Sequence, residues 1–164
     1  MPCYVENRDG HGKTSQCGQT PAASLALRVR TLSCVRFHDI GLQAKPAALL
    51  LMAEGATLTV CHHMTRSVAA HSRRADAVLV AVGRPKFLRG DMVKPGAAVI
   101  DIGINQITDA TGETRIVGDV DTDAVKEVAS WVTPVPGGVG PVTVAMFMRN
   151  AITAHTKQVA AGWI

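Results

Sequence analysis

Aromatic residues are scarce in this chain, at 4% of 164 residues, whereas apolar residues of all kinds make up 47%. We therefore expect a core built mainly from Val, Ile, Leu, Ala and Met. Charged residues amount to 18%, and this balance is typical of a folded α/β protein and argues against a disordered chain. The length favours a single domain.

No two cysteines are spaced as Cys-x-x-Cys, although the chain contains Cys3, Cys17, Cys34 and Cys61. The spacing argues against a structural zinc site, and we expect no metal. A recognisable signal peptide is also lacking, so we expect free thiols in a reducing compartment and a cytoplasmic location. The longest apolar run, Pro46 to Ala53, is too short to span a membrane.

A basic stripe with interleaved aromatics, which is typical of nucleic-acid-binding proteins, is missing as well. The net charge is +4, but the cations are scattered along the chain. We therefore expect neither a nucleic acid nor a membrane as a partner. An anionic cofactor or substrate is compatible with the positive charge.

The chain divides into two unlike parts near residue 39. Residues 1–39 are polar and irregular without a sustained period, and within them residues 22–35 are compatible with either a strand or a helix. From residue 40 onward, apolar runs alternate with helical segments, which predicts an α/β fold with a doubly wound parallel sheet. We therefore expect an irregular segment over residues 1–39 and a Rossmann-like domain over residues 40–164.

The apolar runs predict strands at residues 57–61, 77–82, 97–102 and 131–133, with a further short strand at residues 115–118. Helices are predicted at residues 46–53, 68–74, 121–128 and 142–157. Pro46 suits the first turn of a helix, where a backbone N–H needs no partner within the helix. Asp121 suits an N-cap. Pro141 is expected to open the last helix.

Glycines and polar residues follow three of the predicted strands, in segments 61–65, 83–85 and 103–105. Ligands of open α/β sheets bind beyond the carboxyl ends of the strands, so three such segments at one edge predict a binding site. Taken singly, each is equally compatible with an ordinary tight turn. Three carboxylates are candidate polar anchors or structural caps, namely Asp101, Asp119 and Asp121. No catalytic arrangement of side chains is evident.

Residues 134–141 contain three prolines and three glycines. The prolines stiffen the backbone, and the segment is apolar rather than polar and flexible like a linker. It also precedes a predicted helix N-terminus, which favours negative charge. The segment is therefore predicted to form a wall of the binding site.

The run from Thr133 to Ala145, TPVPGGVGPVTVA, resembles the C-terminal signature of the bifunctional methylenetetrahydrofolate dehydrogenase/methenyltetrahydrofolate cyclohydrolase family. Residues 45–51, 56–62, 94–105 and 117–121 resemble further stretches of that family, in the same order. The resemblance covers about residues 45–154. It implies a Rossmann-like NAD(P)-binding domain, which is only the nucleotide-binding half of the family's enzymes.

The family oxidises 5,10-methylenetetrahydrofolate with NADP, or sometimes NAD, and hydrolyses the methenyl product to 10-formyltetrahydrofolate. The resemblance thus implies a folate-type substrate and a homodimer. It places His63 and Thr65 near the adenosine ribose or its 2′-phosphate, and Ile104 near the nicotinamide. The complete set of implied cofactor-binding residues is Lys45, Pro46, His62, His63, Thr65, Gly83, Pro85, Gly103, Ile104 and Asn105. The implied folate-facing residues are Pro136, Gly137, Gly138, Val139, Gly140 and Pro141.

Two departures from the family pattern weaken the functional expectation. The family's phosphate-binding turn reads Gly-Arg-Ser-x-x-x-Gly-Lys-Pro, and of these residues only Lys45 and Pro46 are present here. The family's catalytic lysine lies in a Tyr-x-x-x-Lys motif, whereas the single tyrosine, Tyr4, is followed four residues later by Arg8. We therefore assign no catalytic residue and expect the chain to be inactive alone. A nucleotide-binding or regulatory module and a non-functional fragment are the alternatives.

Overall fold

The computed structural model describes residues 3–7, 13–15, 31–36, 44–108 and 112–163. Its strands, in chain order, are β1 (Cys3–Asn7), β2 (Lys13–Ser15), β3 (Thr31–Arg36), β4 (Thr57–Cys61), β5 (Ala77–Ala81), β6 (Ala98–Asp101), β7 (Asn105–Thr108), β8 (Thr114–Val117) and β9 (Trp131–Val132). Its α helices are α1 (Ala44–Ala53), α2 (Val68–Ser72), α3 (Thr122–Lys126) and α4 (Val139–Ala160). A short 3-10 helix spans Gly90–Met92.

Seven of the strands form one sheet in the order β2-β1-β9-β6-β5-β3-β4. The five strands from β9 to β4 are parallel, and β1 and β2 extend the sheet in antiparallel fashion beside β9. The strand that follows β3 in the chain, β4, lies on one side of β3 in the sheet. The next strand, β5, lies on the other side of β3. This reversal between β3 and β5 is the switch point of a doubly wound sheet, where such folds bind ligands. The predicted fold class is confirmed.

The core lies on both faces of β5 and β6 because successive side chains of a strand point to opposite faces. Val78 and Val80 of β5 pack on one face, in a cluster that also contains Leu88 and Val125. Ala77 and Leu79 pack on the other face, together with residues of α1. Aliphatic side chains fill these clusters, as the scarcity of aromatic residues predicts.

Most of the predicted strands and helices are present, with small shifts at their ends. Helix α1 begins at Ala44, so Pro46 lies in its first turn as predicted. Helix α3 ends at Lys126 rather than at residue 128, and the Val128 N–H donates to the Val125 carbonyl three residues earlier, as in a turn. Residues 31–35 of the undecided segment belong to strand β3. The domain boundary at residue 39 remains a prediction.

Two local predictions need correction, and one strand was not predicted. Asp121 occupies the N-cap position of α3, but its side chain makes no capping hydrogen bond there and instead lies 3.5 Å from the Lys86 ammonium. The short strand predicted near residue 115 pairs with β7 in an antiparallel hairpin, and β7 was not predicted. The last helix begins at Val139, three residues earlier than expected, so Pro141 lies within its first turn.

Helix α4 presents its apolar side chains to solvent. Within the described part of the chain, none of its 22 residues is buried. Phe147 and Ile152 are 70% and 66% exposed, and Val144 and Met148 are also exposed. No helix among the described residues is both long and apolar enough to cross a membrane. Such a contiguous apolar surface is typical of a face that contacts another protein surface.

We therefore expect the isolated chain to self-associate through α4. The double substitution Phe147→Lys and Ile152→Lys is expected to shift light-scattering profiles toward the monomer, because it places two charges on the apolar face. The same substitution at Ile107 and Ile116 of the hairpin serves as the control. A monodisperse monomer before any substitution would contradict the prediction.

Candidate functional site

The loops after β4, β5 and β6 lie along one edge of the sheet. These strands are parallel and share a register, with Val80 opposite Asp101 and Cys34 of β3 opposite both Val60 and Leu79. Their carboxyl ends therefore meet at the same edge. The structure thus brings all three predicted binding segments to the carboxyl edge, on either side of the switch point between β3 and β5.

The side chain of Asp119 lies buried between two of these loops and is 0% exposed. One carboxylate oxygen accepts hydrogen bonds from the backbone N–H groups of Val82 at 2.5 Å and Gly83 at 3.0 Å. The other accepts from the Arg84 N–H at 2.9 Å and from the Asn105 side-chain amide at 2.7 Å. The loop after β5 and the residues after β6 are therefore attached to one carboxylate.

Asp101, at the end of β6, is a second buried carboxylate. Its oxygens accept hydrogen bonds from the backbone N–H groups of Gly103 at 2.8 Å, Asp119 at 3.1 Å and Val120 at 3.0 Å. Burial raises the pKa of the Asp101 carboxyl, and the three N–H donors offset part of that increase. We refer to Asp101 and Asp119 as the carboxylate pair. Both were candidate polar anchors in the sequence, and the alternative interpretation, a structural role at the ends of strands, fits this geometry.

Glycine is required where the backbone passes closest to the carboxylate pair. A Cβ atom at Gly103 would collide with the carboxylate of Asp119, and a Cβ atom at Gly118 would collide with that of Asp101. The two glycines therefore allow the carboxylates to reach the backbone N–H groups that they bind. Gly103 was predicted from its place after a strand, whereas Gly118 was not predicted as a site residue.

An open cleft of about 490 Å³ lies beyond the carboxyl ends of β6 and β9. One side is formed by the residues after β6, including Gly103 and the 74% exposed Ile104. The other side is the segment 134–141, whose Val135–Pro136 peptide bond is cis. The full lining is Asp101, Ile102, Gly103, Ile104, Ile116, Pro134, Val135, Pro136, Gly137, Gly138, Val139, Gly140, Pro141 and Thr143.

A hydroxyl group connects this cleft to the backbone at the end of β6. The Thr133 hydroxyl oxygen accepts a hydrogen bond from the Asp101 backbone N–H at 2.8 Å, immediately before segment 134–141 begins. The segment is thus attached at the end of β6. The structure therefore places two predicted residues of the cofactor set, Gly103 and Ile104, opposite all six predicted folate-facing residues.

The loop after β4 is held by its own hydrogen bonds. The His62 N–H donates to the Thr65 hydroxyl at 2.9 Å, and the Thr65 N–H donates to the His62 carbonyl at 2.9 Å. The Met64 N–H donates to Nδ1 of His62 at 3.1 Å. His62 and His63 are both exposed, and their ring centroids lie 6.0 Å apart. Among the described residues, no group of three or more potential ligands could hold a metal ion.

Lys45 and Pro46 lie in the first turn of α1, which follows β3 at the switch point. The residues just before that helix, including the altered phosphate-binding turn, fall outside the described residues. Three lining residues were not predicted as site residues, namely Ile102 after β6, Ile116 on β8 and Thr143 on α4. Ile116 could have been identified from the sequence, because Gly112 lies between two short runs that contain β-branched residues. That pattern predicts a β-hairpin.

The comparisons with known proteins agree on one family. Residues 39–159 match the family model of the tetrahydrofolate dehydrogenase/cyclohydrolase NAD(P)-binding domain. The chain is 69% identical over 137 residues to bifunctional protein FolD 3 of Roseobacter denitrificans, and that match covers 84% of this chain and 47% of the relative. It is 76% identical over 120 residues to bifunctional protein FolD of Rhodobacter capsulatus, covering 73% and 40%. The chain thus spans about half the length of these relatives or less.

Solved structures give the same result. The fold resembles the Trypanosoma brucei methylenetetrahydrofolate dehydrogenase-cyclohydrolase complexed with NADP and an inhibitor, with a TM-score of 0.71 and 36% identity. That match covers 93% of this chain and 54% of the other. The Campylobacter jejuni enzyme gives a TM-score of 0.68 at 40% identity and covers 76% and 43%.

Proposed function

The chain belongs to the tetrahydrofolate dehydrogenase/cyclohydrolase family, and we propose that it binds NADP along the carboxyl edge of its sheet. The observation that carries the proposal is the cleft in which Ile104 faces segment 134–141. In this arrangement the nicotinamide end of the cofactor lies beside Gly103 and Ile104. A folate-type substrate then lies against Pro136, Gly137, Gly138, Val139, Gly140 and Pro141.

The strand order supports this direction of the cofactor. The adenosine end is assigned to His62, His63 and Thr65 after β4, which lies at the opposite side of the switch point from β6. The pyrophosphate then crosses the switch point, where the first turn of α1 carries Lys45 and Pro46. A helix N-terminus and a lysine both favour phosphate there. Gly83 and Pro85, both exposed, border the path between the two ends.

The carboxylate pair fits an anionic cofactor despite its own charge. Asp119 receives four hydrogen bonds from the loops that border the proposed site, and Asp101 receives three. Both side chains are buried, at 0% and 2% exposure. Their oxygens bind protein N–H groups in the interior, so the carboxylates stabilise the loops from the protein side. The glycine backbones then face the ligand.

NADP, when bound, supplies the acceptor for a hydride leaving the methylene carbon of 5,10-methylenetetrahydrofolate in the family's reaction. The residues of this chain contribute binding and orientation to that step. Segment 134–141 is stiff and apolar, so it holds a flat ring against the nicotinamide face and limits access of water from its side. Among the cleft-lining residues, none is an acid, base or nucleophile apart from the buried Asp101 and the hydroxyl of Thr143.

We accordingly propose that this chain alone does not complete either reaction. The sequence has a single tyrosine, and the residue four positions after it is arginine, so the family's Tyr-x-x-x-Lys motif is not present. The cleft would then serve as a cofactor-binding and folate-facing surface. Absorbance at 340 nm is expected to remain constant when the chain is mixed with NADP and 5,10-methylenetetrahydrofolate.

Calorimetric titration with NADP and with NAD tests the proposed site. We expect saturable NADP binding in the micromolar range, about −8 kcal/mol. Ile104→Arg is expected to weaken it about tenfold, because a guanidinium would then lie beside the positively charged nicotinamide ring. Ile152→Arg is the matched control, since Ile152 is similarly exposed but lies outside the cleft. Absence of binding heat from folded protein would refute the proposal.

A further inference from the structure

We propose that Asp119 is a positioning residue for the nicotinamide half of the cofactor, an inference that rests on the NADP site proposed above. Its carboxylate fixes the loops after β5 and β6 relative to each other. The adenosine half lies over a different loop, which Asp119 does not hold. Loss of this carboxylate is therefore expected to affect the two halves of the cofactor unequally.

The backbone N–H groups of the loop after β5 indicate which part of the cofactor this loop contacts. Val82, Gly83 and Arg84 are consecutive, and all three N–H groups point to the Asp119 carboxylate. In a phosphate-binding loop, such consecutive N–H groups face the anion of the ligand. Here they are occupied by a protein carboxylate, so this loop is not the pyrophosphate site. It contacts a part of the cofactor that carries no negative charge instead, which favours the ribose and nicotinamide.

The side-chain amide of Asn105 attaches the residues after β6 to the same carboxylate. It donates to the same Asp119 carboxylate at 2.7 Å and also lies 3.5 Å from the Val117 carbonyl of the adjacent hairpin strand. Asn105 follows Gly103 and Ile104, which line the cleft. The position of Ile104 relative to Gly83 therefore depends on one carboxylate that receives hydrogen bonds from both segments.

The loop after β4 is independent of this arrangement. Its hydrogen bonds run between His62, Met64 and Thr65. Among the described residues, the donors to the Asp119 side chain come only from positions 82, 83, 84 and 105. A change at Asp119 therefore leaves the proposed adenosine contacts in place while it loosens the proposed nicotinamide contacts.

Asp119→Asn is the test substitution, because it conserves shape while replacing one acceptor oxygen with an NH₂ group. That group would face N–H donors and lose their hydrogen bonds. We expect the Kd for NADP to rise about tenfold by calorimetry. The Kd for adenosine 2′,5′-bisphosphate, which contains only the adenosine end, is expected to change less than twofold. Asp91→Asn, at an exposed carboxylate, is the control and should change neither constant.

The two affinities separate positioning from a general loss of structure. An equal fall in both would overturn the inference, because it would indicate damage to the whole domain. Unchanged NADP affinity in Asp119→Asn would overturn it as well, while leaving the NADP site intact. If the unsubstituted chain binds the bisphosphate but does not bind NADP, the proposed function itself fails and this inference fails with it.

A milder variant covers the case in which Asp119→Asn does not fold. Asn105→Ala removes one of the four donors to Asp119 from a half-buried position. It is expected to raise the NADP Kd by about threefold and to leave the bisphosphate Kd unchanged. Equal affinities of this variant and the unsubstituted chain for NADP would contradict the positioning role.

Discussion

Replacing Gly118 by alanine is expected to lower the free energy of unfolding by about 3 kcal/mol. The added Cβ would enter the space of the Asp101 carboxylate and would also meet a side-chain methyl of Val135 at 3.0 Å. Asp101 is 2% exposed and is held by three N–H donors. Its carboxylate therefore has no room to move without leaving buried donors unpaired, which adds to the steric cost.

Denaturant unfolding followed by circular dichroism measures this loss. Gly140→Ala is the matched control, because nothing lies within 4 Å of a Cβ built at that position and its backbone is helical. Alanine there should be neutral or slightly stabilising. Equal midpoints for the two variants would show that the approach of Gly118 to Asp101 does not contribute to stability.

Leu88→Ala is expected to have an effect of similar size, about 3 kcal/mol. Leu88 is 0% exposed and lies in the larger core cluster. Its backbone also exchanges hydrogen bonds with the segment that carries the site, since its N–H donates to the Asp119 carbonyl at 3.0 Å and its carbonyl accepts from Asp121 at 2.9 Å. Loss of the side chain leaves a cavity in the core cluster that also contains Val120, the residue after Asp119.

The control for this substitution is Leu50→Ala on helix α1, where the side chain is 70% exposed. It removes the same atoms from a position that buries little apolar surface, so we expect a change below about 0.5 kcal/mol. Thermal and denaturant midpoints measure both variants. A Leu88 variant as stable as the Leu50 variant would contradict the assignment of Leu88 to the core.

Local sequence predicts the buried parallel strands well. Residues 77–81 and 98–101 are apolar runs because both faces of these strands are covered. Helix α1 was predicted by Pro46 in its first turn and by its apolar content. These features depend on residues close together in the chain, which is why the sequence alone identifies them.

Long-range contacts explain what the sequence could not predict. Strand β3 lies in a segment without periodicity, and its place between β4 and β5 depends on pairing with strands far along the chain. Strand β7 is mostly exposed and polar, so it lacks an apolar run. The role of Asp119 follows from donors 35 to 37 residues before it and 14 residues before it. No local pattern encodes such a pairing.

The candidate site was predicted in part. Glycines after strands pointed to the carboxyl edge, and the structure brings Gly103 and Ile104 into one cleft with segment 134–141. Ile116 and Thr143 join that cleft only through the folding of the hairpin and of α4. The assignment of individual residues to the adenosine, pyrophosphate and nicotinamide remains a prediction.

The position of the bound nicotinamide tests the central proposal most directly. Nuclear Overhauser effects between the aromatic nicotinamide protons of NADP and the methyl groups of an isotope-labelled chain report distances below about 5 Å. We expect contacts from the nicotinamide to Ile104 and Val139, and contacts from the adenosine ribose protons to the Thr65 methyl group. Contacts of the nicotinamide with Thr65, or with neither Ile104 nor Val139 while NADP is bound, would contradict the proposed site.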